Sequence, residues 1–311
     1  MEHKILGLHH ITAISKSAKR NFDFYTKVLG LRMVKKTVNF DDPGTYHFYY
    51  GNEQGSPGTI LTFFPWEGIG SGRKGAGQTT EIDYSVPDGS LDFWIERFKE
   101  HKVNFGEKAE RFGETYLPFT DPDGLSINLV IPQKKDERIP WEINGLTKEH
   151  AVKGYNSVTL LLKKIDATAK LLTDIFGYRL LSQEGNRYRF QTDAVENAST
   201  IDLVEDANAQ NGYSAAGTNH HIAFRVANET AQMEFREKIQ TDNSGITPKI
   251  NRDYFYSVYF REPGGVLFEI ATDNPGFTVD EPLAELGTHL KLPSQYEPAR
   301  EKIEKQLPSL E

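Results

Sequence analysis

Asn219-His220-His221-Ile222-Ala223-Phe224 opens the stretch that decides the fold, and Pro263-Gly264-Gly265-Val266-Leu267-Phe268-Glu269-Ile270 closes it. Between them lie an amphipathic helical segment and two tyrosine-rich strand candidates. Successive side chains of a strand point to opposite faces. Ile222, Phe224 and Val226 therefore share one face, and His221 shares the other with Ala223 and Arg225. In the closing strand Val266, Phe268 and Ile270 form the apolar face, which puts Glu269 opposite with Leu267 and Ala271. Both His221 and Glu269 turn away from the face that packs against a helix. A second imidazole is available in Leu8-His9-His10-Ile11-Thr12 near the start of the chain.

The pattern around this stretch recurs. Residues 5–14 read as a strand, followed by a helix carrying Ala18, Phe22, Tyr25 and Leu29 at helical spacing and stopped by Gly30. Three strand candidates follow at 31–38, 45–51 and 58–64, separated by turn clusters. Leu29-Gly30-Leu31-Arg32 returns as Phe176-Gly177-Tyr178-Arg179, 147 residues later, and Asp121-Pro122-Asp123-Gly124 returns as Glu262-Pro263-Gly264-Gly265. Ile82, Tyr84 and Val86 align with Ile222, Phe224 and Val226. The expectation is an α+β protein of four strand-helix-three-strand (βαβββ) modules, near 1–66, 79–132, 153–206 and 218–274. They pair into two pseudo-symmetric domains, 1–135 and 150–278, with 279–311 as a tail that straps the surface and includes a helix near 297–307. The charged segment from Pro132 to His150 is the linker.

The repeat shows which modules carry the chemistry. Shifted along the repeat, His10 falls on Ser157, His221 on Glu81 and Glu269 on Asn128, a set without an imidazole. The candidate ligands therefore belong to modules one and four, and the other pair is scaffold. Two neutral imidazoles and one carboxylate on one side of an octahedron leave open positions, the arrangement of non-haem Fe(II) oxygenases. The competing reading has three polar residues merely hydrogen-bonded at strand ends. Two His-His pairs at matching strand starts argue against it, as does a glutamate within an apolar strand, costly to bury unless paired or metal-bound.

At 311 residues the chain fits two domains. A net charge of −8 without long basic runs argues against nucleic acid or an anionic membrane as the main partner, leaving a small molecule. No stretch approaches the ~20 apolar residues of a membrane span, and the first residues are not those of a signal peptide, so the expected location is cytoplasmic. The absence of cysteine excludes disulfides, thiolate ligands, iron-sulfur clusters and a Cys nucleophile. Gly70-Ser71-Gly72-Arg73-Lys74-Gly75 matches the G-x-G-x-x-G dinucleotide pattern but leads into a strand candidate, Thr80 to Val86, instead of opening a helix; a flexible connection between modules is expected there. No Gly-x-Ser-x-Gly elbow marks a Ser-His-Asp hydrolase. Most of the 19 Phe and 14 Tyr are expected in strand cores, with some lining a cavity suited to a flat aromatic molecule.

Leu8-His9-His10-Ile11-Thr12, Phe40 to Phe64 with Tyr46, Pro57-Gly58-Thr59, His220-His221, Asn251-Arg252, Tyr259 and Pro263-Gly264-Gly265 to Glu269 together resemble the vicinal oxygen chelate superfamily of glyoxalase I, bleomycin- and fosfomycin-resistance proteins and extradiol dioxygenases. Within it the chain is most similar to bacterial hydroquinone-type ring-cleaving dioxygenases, over almost its full length. The resemblance implies the vicinal oxygen chelate fold, Fe(2+), with Mn(2+) suited to the same ligands, bound by His10, His221 and Glu269, and supporting catalytic residues His9, Thr12, His220, Arg252 and Tyr259. Alternation turns His9 and His220 away from the metal face, so a local bulge or a neighbouring strand is required for them to act. The implied partners are a small aromatic diol and dioxygen, and exposed sheet edges allow a homo-oligomer. A glyoxalase-type isomerase is the main alternative, but such sites usually use four protein ligands and the strand Thr59 to Phe64 offers only Thr62. A non-catalytic protein that sequesters aromatic compounds is the other.

Overall fold

The structure is a computed structural model that describes residues 3–143, 145–242 and 245–311. Met1 and Glu2 of the first module and Asn144 of the linker lie outside the described residues. Among the described residues the modules supply seventeen strands. Module one contributes β1 (Leu8–Ser15), β2 (Arg32–Val38), β3 (Tyr46–Gly51) and β4 (Ile60–Pro65); module two β5 (Gln78–Ser85), β6 (Asn104–Phe105), β7 (Ala109–Arg111), β8 (Glu114–Thr120) and β9 (Ser126–Ile131). Module three contributes β10 (Gly154–Leu162), β11 (Arg179–Glu184), β12 (Arg187–Gln191) and β13 (Thr200–Glu205); module four β14 (Thr218–Val226), β15 (Ile250–Asn251), β16 (Phe255–Arg261) and β17 (Leu267–Pro275).

Each sheet draws on both halves of the sequence. One runs β15-β16-β17-β14-β1-β4-β3-β2, modules four and one joined through the antiparallel β1/β14 pair. The other runs β11-β12-β13-β10-β5-β9-β8-β6, joined through β10 and β5. The helices cover one face of the curled sheets: α1 (Ala18–Asp23), α2 (Leu91–Glu100), α3 (Asp166–Lys170) and α4 (Glu229–Asp242). Between helices and strands a single large core takes in Tyr25, Phe63, Trp94, Phe98, Leu172, Phe224 and Phe268. The repeat extends to fine detail, because α1 and α3 each run on into one π-helical turn, Phe24–Val28 and Leu171–Ile175, at the same offset of 147. The mixed α+β architecture of two curled sheets is the one the pattern predicts.

Two features differ from the expectations or sharpen them. The glycine-rich segment 70–76 is not a free connection: Ser71, Arg73 and Ala76 form bridges with Ala216, Tyr213 and Asn211 of the equivalent connection between modules three and four. A Cβ on Gly75 would sit 2.3 Å from the Gln210 carbonyl oxygen, so glycine is needed for the two backbones to approach. The tail does strap the surface. Lys35, buried in β2, meets Asp280 and Glu281 at 2.5 and 2.6 Å, Tyr296 donates a hydrogen bond to the Phe40 carbonyl at 2.6 Å, and the closing helix α5 (Arg300–Gln306) packs Ile303 against Val38.

Candidate metal centre

The β1/β14 seam carries both His-His pairs, and each pair sits at a register shift. Leu8 pairs with Phe224 and His10 with Ala223, which makes His9 an extra residue in β1; Thr12 pairs with His221 and Ala13 with Asn219, which makes His220 the extra residue in β14. A bulge breaks strict alternation and re-aims a side chain. The same shifts occur at the β10/β5 seam, with Asn156 and Thr80 as the extra residues, the repeat equivalents of His9 and His220.

Parallel pairing of β14 with β17 sets Glu269 beside Ala223, within reach of both seam histidines. His10 Nε2 and His221 Nε2 stand 3.2 and 2.9 Å from Glu269 Oε2 and 3.4 Å from each other. For ligands about 2.1 Å from a metal and 90° apart, adjacent donor atoms are about 3.0 Å apart. The three atoms thus match one face of an octahedron. Glu269 is fully buried; Ser257 donates to Oε1, whereas Oε2 accepts no hydrogen bond of good geometry. A buried carboxylate oxygen left without a proton donor beside two imidazole nitrogens suits a cation.

The other ring nitrogens fix which atoms face the site. His10 Nδ1 lies 2.9 Å from His9 Nδ1, and His221 Nδ1 lies 2.8 Å from His220 Nδ1. With Nε2 turned to the site, each Nδ1–H donates to the preceding histidine, the kind of support that orients ligating imidazoles. Those acceptors must be neutral. Burial lowers His9 well below its ordinary value, and burial with the His221 neighbour takes His220 down to about 3. The bulges thereby answer the alternation problem. His9 nevertheless lines a separate cleft with Gly55, Pro57 and Phe277, so it supports His10 from behind, whereas His220 lines the cavity in front.

That cavity, of about 460 Å³, has His10, Thr12, His220 and His221 at its base and Phe40, Phe64, Trp66, Phe255 and Leu267 among its walls. Tyr259, paired with Glu269 across β16/β17, and Arg252 reach it from module four. The Arg252 guanidinium lies over the rings of Phe40 and Tyr259 at 5.5 and 5.6 Å and 3.7 Å from Asp41. Burial and the Glu269 charge push the Tyr259 phenol up, which keeps it an O–H donor. Thr12 Oγ1 is 2.8 Å from His221 Nε2.

The structure therefore gathers His10, His221, Thr12, His220, Arg252 and Tyr259 around one cavity, with Glu269 buried against His10 and His221. It adds His47 and Tyr49 from β3, which sequence reading passed over. Alternation had the signal, since Phe48 and Tyr50 occupy the core face of β3 and leave His47 and Tyr49 on the other. In the second sheet the equivalent place is filled. Asp83 takes Arg111, Asn128 and Ser157 at 2.6, 2.6 and 2.5 Å, Glu81 takes Arg111 and Arg187, and Arg189 meets Asp202 and Glu114. A closed net of ion pairs and hydrogen bonds stands where the first sheet has a cavity. Among the described residues, His10, His221 and Glu269 form the one cluster of three or more His, Cys, Asp or Glu side chains able to hold a metal ion.

Comparison with known proteins agrees with this architecture. "Putative ring-cleaving dioxygenase MhqO" of Bacillus subtilis (strain 168) is 46% identical over 307 residues, covering 99% of this chain and 97% of its own. The chlorohydroquinone/hydroquinone 1,2-dioxygenase of Sphingobium indicum is 35% identical over 308 residues, covering 96% and 95%. The crystal structure of a "putative dioxygenase" from Bacillus subtilis subsp. subtilis str. 168 superposes with a TM-score of 0.95 at 45% identity, covering 99% of this chain and 98% of that one. Residues 7–129 and 154–270 match the family model itself, and the chain belongs to the glyoxalase/bleomycin resistance protein/dioxygenase superfamily.

Proposed function

We propose that this protein is an Fe(II)-dependent ring-cleaving dioxygenase acting on hydroquinones, with His10, His221 and Glu269 as the metal ligands. The observation that carries the reading is the convergence of two Nε2 atoms and one buried, unpartnered carboxylate oxygen on the base of an aromatic-walled cavity. The name of the Bacillus subtilis relative supports ring cleavage, and that of the Sphingobium indicum relative supports the substrate class. A ferrous ion held there supplies a redox-active centre with open positions for substrate and dioxygen; Mn(II) suits the same donors. The chain's own groups do the rest. Phe64, Trp66 and Phe255 flank a flat ring and exclude water, which strengthens every electrostatic interaction inside. Tyr259 and Arg252 present O–H and N–H donors where negative charge develops on substrate oxygen. His220, neutral and facing the cavity, accepts the His221 Nδ1–H at its own Nδ1, so its Nε2–H is a further donor toward a substrate oxygen. Both atoms of dioxygen enter the product as the carbon-carbon bond beside one hydroxyl breaks.

The test is oxygen uptake by anaerobically purified protein loaded with Fe(II), with methylhydroquinone, hydroquinone and catechol compared. The expected result is one dioxygen per hydroquinone with loss of the aromatic absorbance. Iron-loaded protein that binds hydroquinones without oxygen uptake would overturn the dioxygenase reading in favour of sequestration.

A further inference from the structure

The wall of the cavity formed by module one contains a hydrogen-bonded line of side chains that the proposed chemistry has not used. Tyr49 Oη lies 3.0 Å from His47 Nδ1, His47 Nε2 lies 3.0 Å from Thr62 Oγ1, Thr62 Oγ1 lies 2.7 Å from Thr12 Oγ1, and Thr12 Oγ1 lies 2.8 Å from His221 Nε2. All five residues are buried. Three strands, β3, β4 and β1, each place their part of the line on the face opposite the helices, and the parallel β1/β4 register sets Thr12 directly beside Thr62.

The direction of the line follows from proton counting. His221 gives its Nδ1 hydrogen to His220, so Nε2 has no hydrogen to give Thr12, and a metal bound there would take the Nε2 lone pair and leave the Thr12 hydrogen for another acceptor. Thr12 then accepts from Thr62, Thr62 accepts from His47 Nε2–H, and His47 Nδ1, left with a lone pair, accepts from the Tyr49 hydroxyl. Burial keeps His47 neutral and the Tyr49 phenol protonated, as this assignment requires. The reverse direction would place a hydrogen on the His221 nitrogen that faces Glu269 and leave the Tyr49 hydrogen without the acceptor it now has.

We propose that Tyr49, His47 and Thr62 are positioning residues whose polarised hydrogen-bond line fixes the Thr12 hydroxyl as a donor aimed into the metal-facing corner, where it binds a phenolate oxygen of the substrate. The proposal rests on the reading of His10, His221 and Glu269 as a metal site. It extends that reading to a specificity: the corner favours an anionic oxygen over a neutral hydroxyl. His47 acts through Thr62 and Thr12 without touching that oxygen.

The probe is 4-nitrophenol, whose absorbance distinguishes phenol from phenolate and which offers no second hydroxyl for ring cleavage. It is titrated under argon into wild-type and variant protein loaded with Fe(II), with metal content measured in each. Thr62→Val and Tyr49→Phe are near-isosteric and keep the fold. Loss of a charge-assisted hydrogen bond predicts phenolate binding about tenfold weaker in Thr62→Val, with a smaller loss in Tyr49→Phe. His47→Gln, whose amide can accept from Tyr49 and donate to Thr62, retains most of the affinity; His47→Leu does not. Equal phenolate affinity in wild type, Thr62→Val and His47→Leu at equal metal content overturns the proposal, as does wild-type protein that binds the probe only as the neutral phenol. Phenolate binding that depends on the line in a protein that consumes no oxygen with hydroquinones would overturn the dioxygenase reading and leave this one standing.

Discussion

Glu269→Gln is expected to raise the stability of the metal-free protein and to remove most of the stabilisation that metal adds. In the metal-free protein the carboxylate is fully buried, Oε1 is held by Ser257, and Oε2 has no hydrogen-bond donor. An amide in its place keeps an acceptor for Ser257 and supplies N–H groups to the two Nε2 lone pairs 2.9 and 3.2 Å away. Leaving a buried acceptor unpaired costs about 1–3 kcal/mol, more when it is charged, so the variant should gain about 2–3 kcal/mol. At about 2 °C per kcal/mol for a large chain, that is a rise in Tm of about 4–6 °C after dialysis against chelator. Metal then adds less to the variant than to the wild type. Free metal at a thousandfold over its Kd stabilises the wild type by about 4.1 kcal/mol, and a hundredfold loss of affinity leaves only about 1.4 kcal/mol of that gain. Such a loss is the upper range for residues that merely support a ligand and a minimum for a ligand itself. Differential scanning calorimetry at fixed pH, with chelator and with Mn(II) as an air-stable probe, reads both effects. A metal-free variant less stable than wild type would mean that Oε2 is paired with a protonated imidazole, and an unchanged metal-induced rise would mean that Glu269 is not a ligand; either result refutes the reasoning.

Three further outcomes follow from the same geometry. Lys35→Met leaves the buried Glu281 carboxylate with two backbone donors and the exposed His289 ring at 3.8 Å, and urea unfolding should show a loss of about 3–5 kcal/mol that Lys35→Met with Glu281→Met largely recovers. Arg189→Met removes a buried partner of Asp202 and Glu114 in the second sheet; stability should fall by about 3 kcal/mol while oxygen uptake per bound iron is unchanged, as expected of scaffold. Burial pushes the Asp121 carboxyl up to about 6 against hydrogen bonds from the Leu125 and Asp123 amides, so the folded state holds its proton longer than the unfolded state. Stability from this group is therefore present below about pH 4 and is lost as pH rises toward 6, a change of about 3 kcal/mol. The difference in unfolding free energy between wild type and Asp121→Asn should show that slope between pH 4 and 6, and a flat difference would contradict it.

Much of the architecture was legible because the repeat is written in side chains that must be buried. The 147-residue offset that aligns Leu29-Gly30 with Phe176-Gly177 also aligns the π-helical turns of α1 and α3. Alternation assigned Glu269, Phe268 and Ile270 to their faces, since a period of two leaves no freedom in a strand with one core face. It erred at His220, which lines the cavity, because a bulge adds a residue without changing the residue types around it, and it held at His9, which lies in a separate cleft. The glycine-rich segment was misjudged for a related reason: composition records that glycine permits a close approach but not which backbone approaches.

Local pattern by itself determined the modules, the core faces and the identity of a His, His, Glu set, all consequences of burial and of periods that neighbouring residues enforce. Tertiary structure decided that modules one and four share a sheet, that His10 Nε2 converges within 3.4 Å on atoms of His221 and Glu269 more than 200 residues away, and that the equivalent corner of the other sheet is filled by arginines and carboxylates. It also decided that His47 and Tyr49 join Thr62 and Thr12 in one line. Pairings between distant strands depend on which edges meet, and no run of neighbouring residues encodes that choice alone.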